Sequence, residues 1–499
     1  MKLISYALAL TGAVLLGAGP ARAASHYIVI PSTGKAAETP ADPITVSLSG
    51  SLPAGMVGQA YAFDMATLLS ITGDPSLDLS LAAWSANNPL PPGLSLDGAG
   101  MLTGTPTTKN EAGTSFEVLA SYKGETGQQV YTIVVNGAVL QVTQISVGWL
   151  RHACAITVSG GVKCWGMNNQ GQLGNGTSGD FQVSPVDVQG LSGSVASIQA
   201  GSQYTCALMT SGGVKCWGAN YYGQLGNGTT SGSTTPVDVS GLGAGVASLS
   251  TGEAHACAVT TAGAVKCWGR NYYGQLGDNT QYNNRTSPVA VVGMSSGISR
   301  VSAGDGFTCA VTTAGAAKCW GLGNDGQLGN SNYSTLLAPQ PVFGLSAGVA
   351  SLTTGSHHAC AITTAGGARC WGRNAYGQLG DGTSSSRNVP VAVSGLSSGV
   401  QHISAGFGHT CAIVAGGAKC WGFVGAGQLG NGSRSGDQKV PVDVVGLSAN
   451  VVALDVGRDT SCAVLSGGAT KCWGDNSSGV LGVGDAALAR SALPMDVMP

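Results

Sequence analysis

The side chains with the clearest chemical pattern are the cysteines. There are 14, and they form seven sequential pairs. Six pairs are spaced C-x9-C: Cys154/Cys164, Cys206/Cys216, Cys257/Cys267, Cys309/Cys319, Cys360/Cys370 and Cys462/Cys472. Cys411/Cys420 is one residue shorter. Zinc sites call for C-x2-4-C pairs with a second pair nearby, a spacing absent here, so no metal site is assigned. An even, paired count in an exported chain predicts disulfides instead. A bridge closing a loop of about 11 residues is worth roughly 2–3 kcal/mol in the chain-entropy model.

Histidine recurs two residues before the first cysteine of a pair, at His152, His255, His358 and His409, with Tyr204, Phe307 and Thr460 in other copies. A ring of imidazoles could bind metal or titrate near pH 6. Phe307 cannot ligate, so these positions are read as satisfied packing residues, each within its own repeat.

Catalytic motifs are missing. G-x-S-x-G strings occur only in the Gly-Leu-Ser-x-Gly-type links between repeats, starting at Gly293, Gly344 and Gly395, and not as a nucleophile elbow. There is no G-x4-G-K-[ST] loop and no H-E-x-x-H, and no cofactor is called for. Scattered carboxylates leave open an enzyme acting on extracellular polymer at an axial pocket. Gly-Asn-Gly-Thr strings at Asn175 and Asn227, with Asn431 in a related one, match a glycosylation sequon but suit turns. Gly380 to Thr383, Gly-Asp-Gly-Thr, is too short to make a calcium loop.

Only 9 % of the residues are charged, with a formal net charge of -2. No basic cluster is present, which argues against nucleic acid as a partner. The 80 glycines recur at fixed positions, as turns of a regular β protein do. Lys2, the apolar run Leu3 to Ala18 and Ala21-Arg22-Ala23 read as a signal peptide over residues 1–23. With no later apolar span, the mature chain is expected to be secreted, periplasmic or at the cell surface. Residues 24–43 read as a linker. The alternating runs ITVSLSG, SFEVLASY and QVYTIVVNG place a β-sandwich at 44–137.

Within it, Pro92-Gly93-Leu94-Ser95-Leu96, Gly100, Leu102 and Thr103-Gly104-Thr105-Pro106 resemble the bacterial immunoglobulin-like (cadherin-like) domains. That resemblance implies a spacer or adhesion module in a surface protein.

Residues 139–499 repeat about every 50 residues, a period of propellers or solenoid arrays. Each repeat has four strand-like pieces: V-x-x-I/V/L-x-x-G, C-A-I/V/L, V/A-K-C-W-G and P-V-D/A-V. Four antiparallel strands repeated seven times predict an all-β, seven-bladed β-propeller, with the strands at Val142 and Pro494 meeting at the seam. The pattern H/Y-x-C-A-I/V/L then G-x-x-K-C-W-G-x-N-x-x-G-Q-L-G resembles the regulator-of-chromosome-condensation repeat family. The resemblance implies a seven-bladed propeller. The family's founder is an intracellular guanine-nucleotide exchange factor, and a secreted bacterial β-lactamase inhibitor is another member. The export signal and the cysteine pairs depart from the nuclear members and argue against nucleotide exchange.

Strand alternation sorts the loops onto two faces. The face carrying the inserts after each Trp-Gly step varies: MNNQ, ANYY, RNYY, LGND, RNAY, FVGA and DNSS. Tyrosine gives contact area at low entropic cost. The binding-face candidates are therefore Tyr221, Tyr222, Tyr272, Tyr273, Tyr376, Asn220, Asn271, Arg270 and Arg373. The expected function is recognition of a protein or glycan, without catalysis.

Overall fold

The computed structural model describes residues 42–191 and 194–499. The signal-peptide expectation and most of the linker lie outside the described residues.

The N-terminal part is built of short strands. Glu125–Asn136 and Asn110–Tyr122 pair antiparallel at the centre of a four-stranded sheet, flanked by Gly55–Met56 and Ala83–Ala86. A three-stranded sheet (Tyr61–Asp64, Met101–Gly104, Leu94–Leu96) and the pair Thr45–Leu48 and Leu69–Thr72 complete it. Phe116, Val118, Ala120, Ile133 and Val135 alternate inward onto Leu102, Met65 and Trp84, as strands with one buried face must. The Pro-Gly-Leu and Thr-Gly-Thr strings cross at close range. A Cβ on Gly93 would lie 2.0 Å from the Thr105 carbonyl oxygen, and one on Gly104 would lie 2.1 Å from that of Gly93.

Residues 142–496 fold into seven four-stranded antiparallel sheets, each taken in sequence order. The first blade is Val142–Val147, His152–Thr157, Val162–Asn168 and Gly179–Asp187; the seventh is Val451–Val456, Thr460–Leu465, Thr470–Asp475 and Arg490–Asp496. The first strands of all seven blades contribute residues to one axial cavity, so they are the inner strands. The second and third strands of each blade are almost wholly buried. The fourth is the half-exposed outer edge.

The second and third strands form a hairpin whose two cysteines sit directly opposite each other, as in Cys206↔Cys216 and Cys257↔Cys267. All seven expected bridges are present. Cys154–Cys164, Cys206–Cys216, Cys257–Cys267, Cys309–Cys319, Cys360–Cys370, Cys411–Cys420 and Cys462–Cys472 have Cα–Cα distances of 4.0–4.1 Å. The shorter Cys411–Cys420 hairpin keeps the register with a tighter turn. Val414 pairs Gly417, and the two intervening residues, Ala415 and Gly416, both take positive φ, the requirement of a two-residue type I′ turn.

The cysteines belong to the frame, as expected of hairpin staples, and none lines the axial cavity or the tyrosine cleft described below. All 14 are fully buried. Each bridge is part of the apolar layer between two blades and shares it with the tryptophan of the following blade. Cys154 and Cys164 pack with Trp217, Cys309 and Cys319 with Trp371, and Cys360 and Cys370 with Trp421. Cys462 and Cys472 do the same across the seam with Trp165. A disulfide there is a compact apolar group that also staples its hairpin, and burial keeps reductants and ligands from the sulfurs.

Blades are joined by a device spread over two repeats. Each Trp-Gly tryptophan is fully buried and packs under the Gly-Gln-Leu-Gly loop of the preceding blade. Trp217, Trp268, Trp320, Trp371, Trp421 and Trp473 donate Nε1–H to the carbonyls of Gln172, Gln224, Gln275, Gln327, Gln378 and Gln428 at 2.9–3.0 Å. The last glycine of the loop lies against the indole. A Cβ on Gly226, which also takes φ +66°, would sit 2.7 Å from Trp268 Nε1. The Trp-Gly and Gln-Leu-Gly strings are thus ligand and receptor of one blade junction.

The seam between blades seven and one uses the same bond: Trp165 Nε1 donates to the Val480 carbonyl at 2.8 Å. The receptor is a backbone oxygen, so replacing glutamine by Val480 keeps it. The two expected seam strands do not pair, because one is innermost and the other outermost. Residues flanking them meet instead, with Leu140 N donating to Val497 O at 2.7 Å, while Val142 N donates to Gly468 O in the hairpin turn of blade seven at 2.8 Å.

Candidate functional site

The loops between first and second strands and those between third and fourth strands share one face, where Glu253 and Arg270 from the two loop types form an ion pair at 2.7 Å. The tyrosine candidates divide into two groups on this face. In blades two and three, the Arg270 guanidinium stacks against Tyr222, Tyr272 and Tyr273, 5.3, 5.6 and 5.9 Å from their centroids. Tyr272 meets Tyr273 and Tyr282 edge-on at 4.9 and 4.7 Å. Tyr222, Arg270, Tyr272, Tyr282 and Asn284 line a cleft of about 380 Å³. Tyr221 stands beside it, its hydroxyl donating to Gln170 Oε1 at 2.6 Å. Tyr376 lies elsewhere, packed on Phe423 at 4.9 Å. Arg373 is in the same blade as Tyr376, its backbone N–H held by the His357 carbonyl at 2.8 Å.

Asn220 and Asn271 require correction as surface candidates. Both are buried. Each side chain folds its own loop: Asn220 Oδ1 accepts from Leu225 N at 2.9 Å while Nδ2 donates to the Thr229 carbonyl at 3.0 Å. Asn271 does the same with Leu276 and Thr280. An asparagine at the base of a loop supplies both a donor and an acceptor, and here the loop's backbone uses them. Tyr282, absent from the sequence candidates, is 66 % exposed and forms a wall of the cleft. It lies outside the four-residue insert, so comparing inserts alone could not find it.

Toward the axis the face is charged. The Glu253 and Asp305 carboxyls hydrogen-bond to each other, and burial pushes both up from the usual carboxylate range. Asp305 also accepts from Ser356 Oγ at 3.2 Å. His357 Nδ1 lies 3.2 Å from Asp325; burial lowers its basicity, against the pull of that carboxylate. Across the axis Arg458 stacks on Phe407 at 5.1 Å, and Arg151 pairs with Asp475 at 3.0 Å.

The recurrent histidines are fully buried, and they act between repeats rather than within one. The Nε2 atoms of His152, His255, His358 and His409 lie 2.8–3.0 Å from the hydroxyls of Thr205, Thr308, Thr410 and Ser461 in the next blade. Each hydroxyl donates onward, at 2.8 Å, to the glutamine carbonyl that also receives the tryptophan. The hydroxyl proton is thereby committed, so Nε2 carries the imidazole proton and Nδ1 is left without a partner. Burial holds all four at about 3, well below the ordinary histidine value. Among the described residues no group of three or more His, Cys, Asp or Glu is placed to hold a metal ion. No described helix is long and apolar enough to cross a membrane.

Comparison with known proteins agrees with this architecture. Residues 112–462 match the RCC1-like domain model and residues 42–136 the He_PIG Ig domain model. The matches overlap at 112–136, which the structure places in the N-terminal sheet. The ultraviolet-B receptor UVR8 of Arabidopsis thaliana is 32 % identical over 341 residues, covering 67 % of this chain and 77 % of the receptor. The E3 ubiquitin-protein ligase HERC2 of Homo sapiens is 31 % identical over 268 residues, 52 % of this chain but 6 % of the ligase. Among solved structures, human WBSCR16 superposes with TM-score 0.60 at 25 % identity, over 68 % of this chain and 93 % of that one. Yeast RCC1 (Prp20), solved with Kap60, gives 0.61 at 20 % identity, over 72 % of this chain and 85 % of that one, which speaks to the fold. A buried tryptophan under each preceding Gln-Leu-Gly loop, seven closed blades and a domain match across most of the chain lead to one assignment: the protein belongs to the RCC1-like domain family of β-propellers.

Proposed function

We propose that this is a non-catalytic interaction protein acting outside the cytoplasm, which binds a partner protein through the aromatic cleft of blades two and three. The observation that carries the reading is the Arg270 cluster. Three tyrosines and an arginine line one cleft, and Tyr222, Tyr272 and Tyr282 are exposed, as is Tyr221 beside it. Tyrosine and arginine are the residue types that dominate protein-binding hot spots. The propeller family supports a protein-interaction role. Seven disulfides and the Ig-like domain support an oxidising, extracytoplasmic setting.

The test is capture on immobilised protein. Wild type, Tyr222→Ala/Tyr272→Ala and a control on the opposite face, Val158→Ala, are compared. The reading requires a polypeptide retained by wild type and control, lost from the double variant, and still retained after enzymatic deglycosylation. Loss on deglycosylation would make the ligand a glycan. Equal recovery on all three proteins would remove the cleft from consideration.

A further inference from the structure

We propose that the axial cavity opening on the hairpin face, opposite the tyrosine cleft, binds a small oxyanion: a carboxylate or phosphate on a compact solute. The inner strands alternate, so every second residue faces the axis. Toward the variable face the lining is a narrow chamber of about 90 Å³ beneath Trp149. Toward the hairpin face it widens to about 280 Å³, and here Gln144, Arg300, Ser351 and His402 come from four different blades.

Arg300 is the one arginine in that lining. Arg151, Arg270, Arg285, Arg387 and Arg458 each have a carboxylate partner. Arg300, like Arg369, Arg373, Arg434 and Arg490, pairs with none among the described residues, and of these five it alone lines the axial cavity. In the same lining stands His402, exposed at the cavity mouth; partial desolvation by the cavity walls and then the Arg300 charge hold it below the usual histidine range. Between their blades stands Ser351. In the blade on the other side Ser248, at the register position matching Arg300, has a buried Oγ without a partner.

The one carboxylate lining the cavity, Asp455, does not neutralise this end. Its Oδ2 accepts from Val147 N and its Oδ1 from Ser404 Oγ, both at 2.8 Å, which ties blades six, seven and one together at the axis. In other blades a serine has the same place: Ser146, Ser250 and Ser302 each accept at 3.0 Å from the backbone N–H of the next inner strand. Asp455 is therefore part of the ring closure, and Arg300, exposed at the cavity mouth, remains a cation without a carboxylate partner on a concave wall.

A planar guanidinium in a cavity is suited to bidentate binding of an oxyanion, and concave walls focus its field. Ser351 can donate a further bond, and His402 another once protonated. The volume holds a phosphate with its water, or a single sugar acid, but no folded peptide.

The experiment is calorimetric titration of the full chain with inorganic phosphate and, separately, sodium glucuronate, at about pH 6 and about pH 7.5. The charged or titratable groups facing the site are Arg300, His402 and Asp455. Acidification protonates the histidine or neutralises the aspartate, and both changes favour an anion. Binding of one equivalent of either probe, tighter at the lower pH, is expected. Arg300→Gln should weaken it by about tenfold or more, Arg300→Lys by less, and His402→Gln should reduce the pH dependence to the part that Asp455 contributes. Arg434→Gln, on an outer loop, should change nothing. Phosphate binding alone would identify a free-phosphate site; glucuronate binding alone would identify a sugar-acid site. Absence of binding by both probes at the lower pH would overturn the proposal. So would unchanged affinity in a natively folded Arg300→Gln or Arg300→Lys protein. Neither result bears on the tyrosine cleft, which lies at the other face.

Discussion

Two regions of the propeller respond to the same repeat in opposite ways. At the blade junctions, all seven tryptophans have the same burial and the same carbonyl acceptor one blade back. On the variable face, the loops that follow those tryptophans share an asparagine-anchored base in five of the copies, yet carry different tips. The junction holds a large ring against backbone atoms in a close-packed layer, where lost volume is felt at once. The tips face water, where a side chain can change with little effect on folding. The recurring base and the free tip together make a scaffold on which recognition can differ from blade to blade.

That contrast predicts unequal consequences. Trp268→Ala should cost the most, about 3–5 kcal/mol for a buried aromatic, read as a lowered denaturation midpoint. A loss below about 1 kcal/mol would mean that the junction is not the main source of stability. Replacing one disulfide, Cys257→Ala/Cys267→Ala, should cost roughly 2–3 kcal/mol, since it staples a hairpin already held by its neighbours. The same replacement at the seam, Cys462→Ala/Cys472→Ala, sharpens the comparison. An equal loss from both would show that the blades are energetically equivalent, the seam included.

The buried imidazoles give a third, pH-dependent effect. Their folded pKa lies near 3, below the unfolded value of 6.5, so the unfolded chain takes up the proton first. Stability is complete above the unfolded value and falls as pH drops through it, by up to about 1.4 kcal/mol per pH unit for each histidine. His255→Gln should reduce the slope of stability against pH below 6.5 by about one proton. An unchanged slope would mean that His255 is protonated in the native protein. At the small end, Tyr272→Ala/Tyr282→Ala should change stability by within about 0.5 kcal/mol while abolishing partner capture. A large destabilisation would turn the cleft into part of the frame.

Much of the fold was readable because its determinants recur. The repeat length, the opposed cysteines and the four strand types are local in sequence, and local pattern reports them. The junction was only half readable. Trp-Gly and Gln-Leu-Gly both stood out, but each tryptophan meets the Gln-Leu-Gly string of the repeat before its own. The cysteine pairing was legible from spacing, while the packing of each bridge on the next blade's tryptophan was not. The histidines were misplaced for the same reason, since their hydroxyl partners lie 52 or 53 positions away. Asn220 and Asn271 were misread because loop asparagines look alike whether they face solvent or their own backbone. Tyr282 was missed because it enters the cleft from a neighbouring part of the loop.

By itself, then, the sequence determined the kind of blade: how many strands it has, where each turns, and which cysteines face each other. These follow from period-two burial and short-range turn chemistry, which act over a few residues. Only the tertiary structure decided which groups meet across blades. Ring closure brings Asp455 to Val147, Arg270 under three tyrosines, and Arg300 beside His402 on the axis. Those meetings depend on the angle between successive sheets, a sum over all seven, and no stretch of sequence carries that sum.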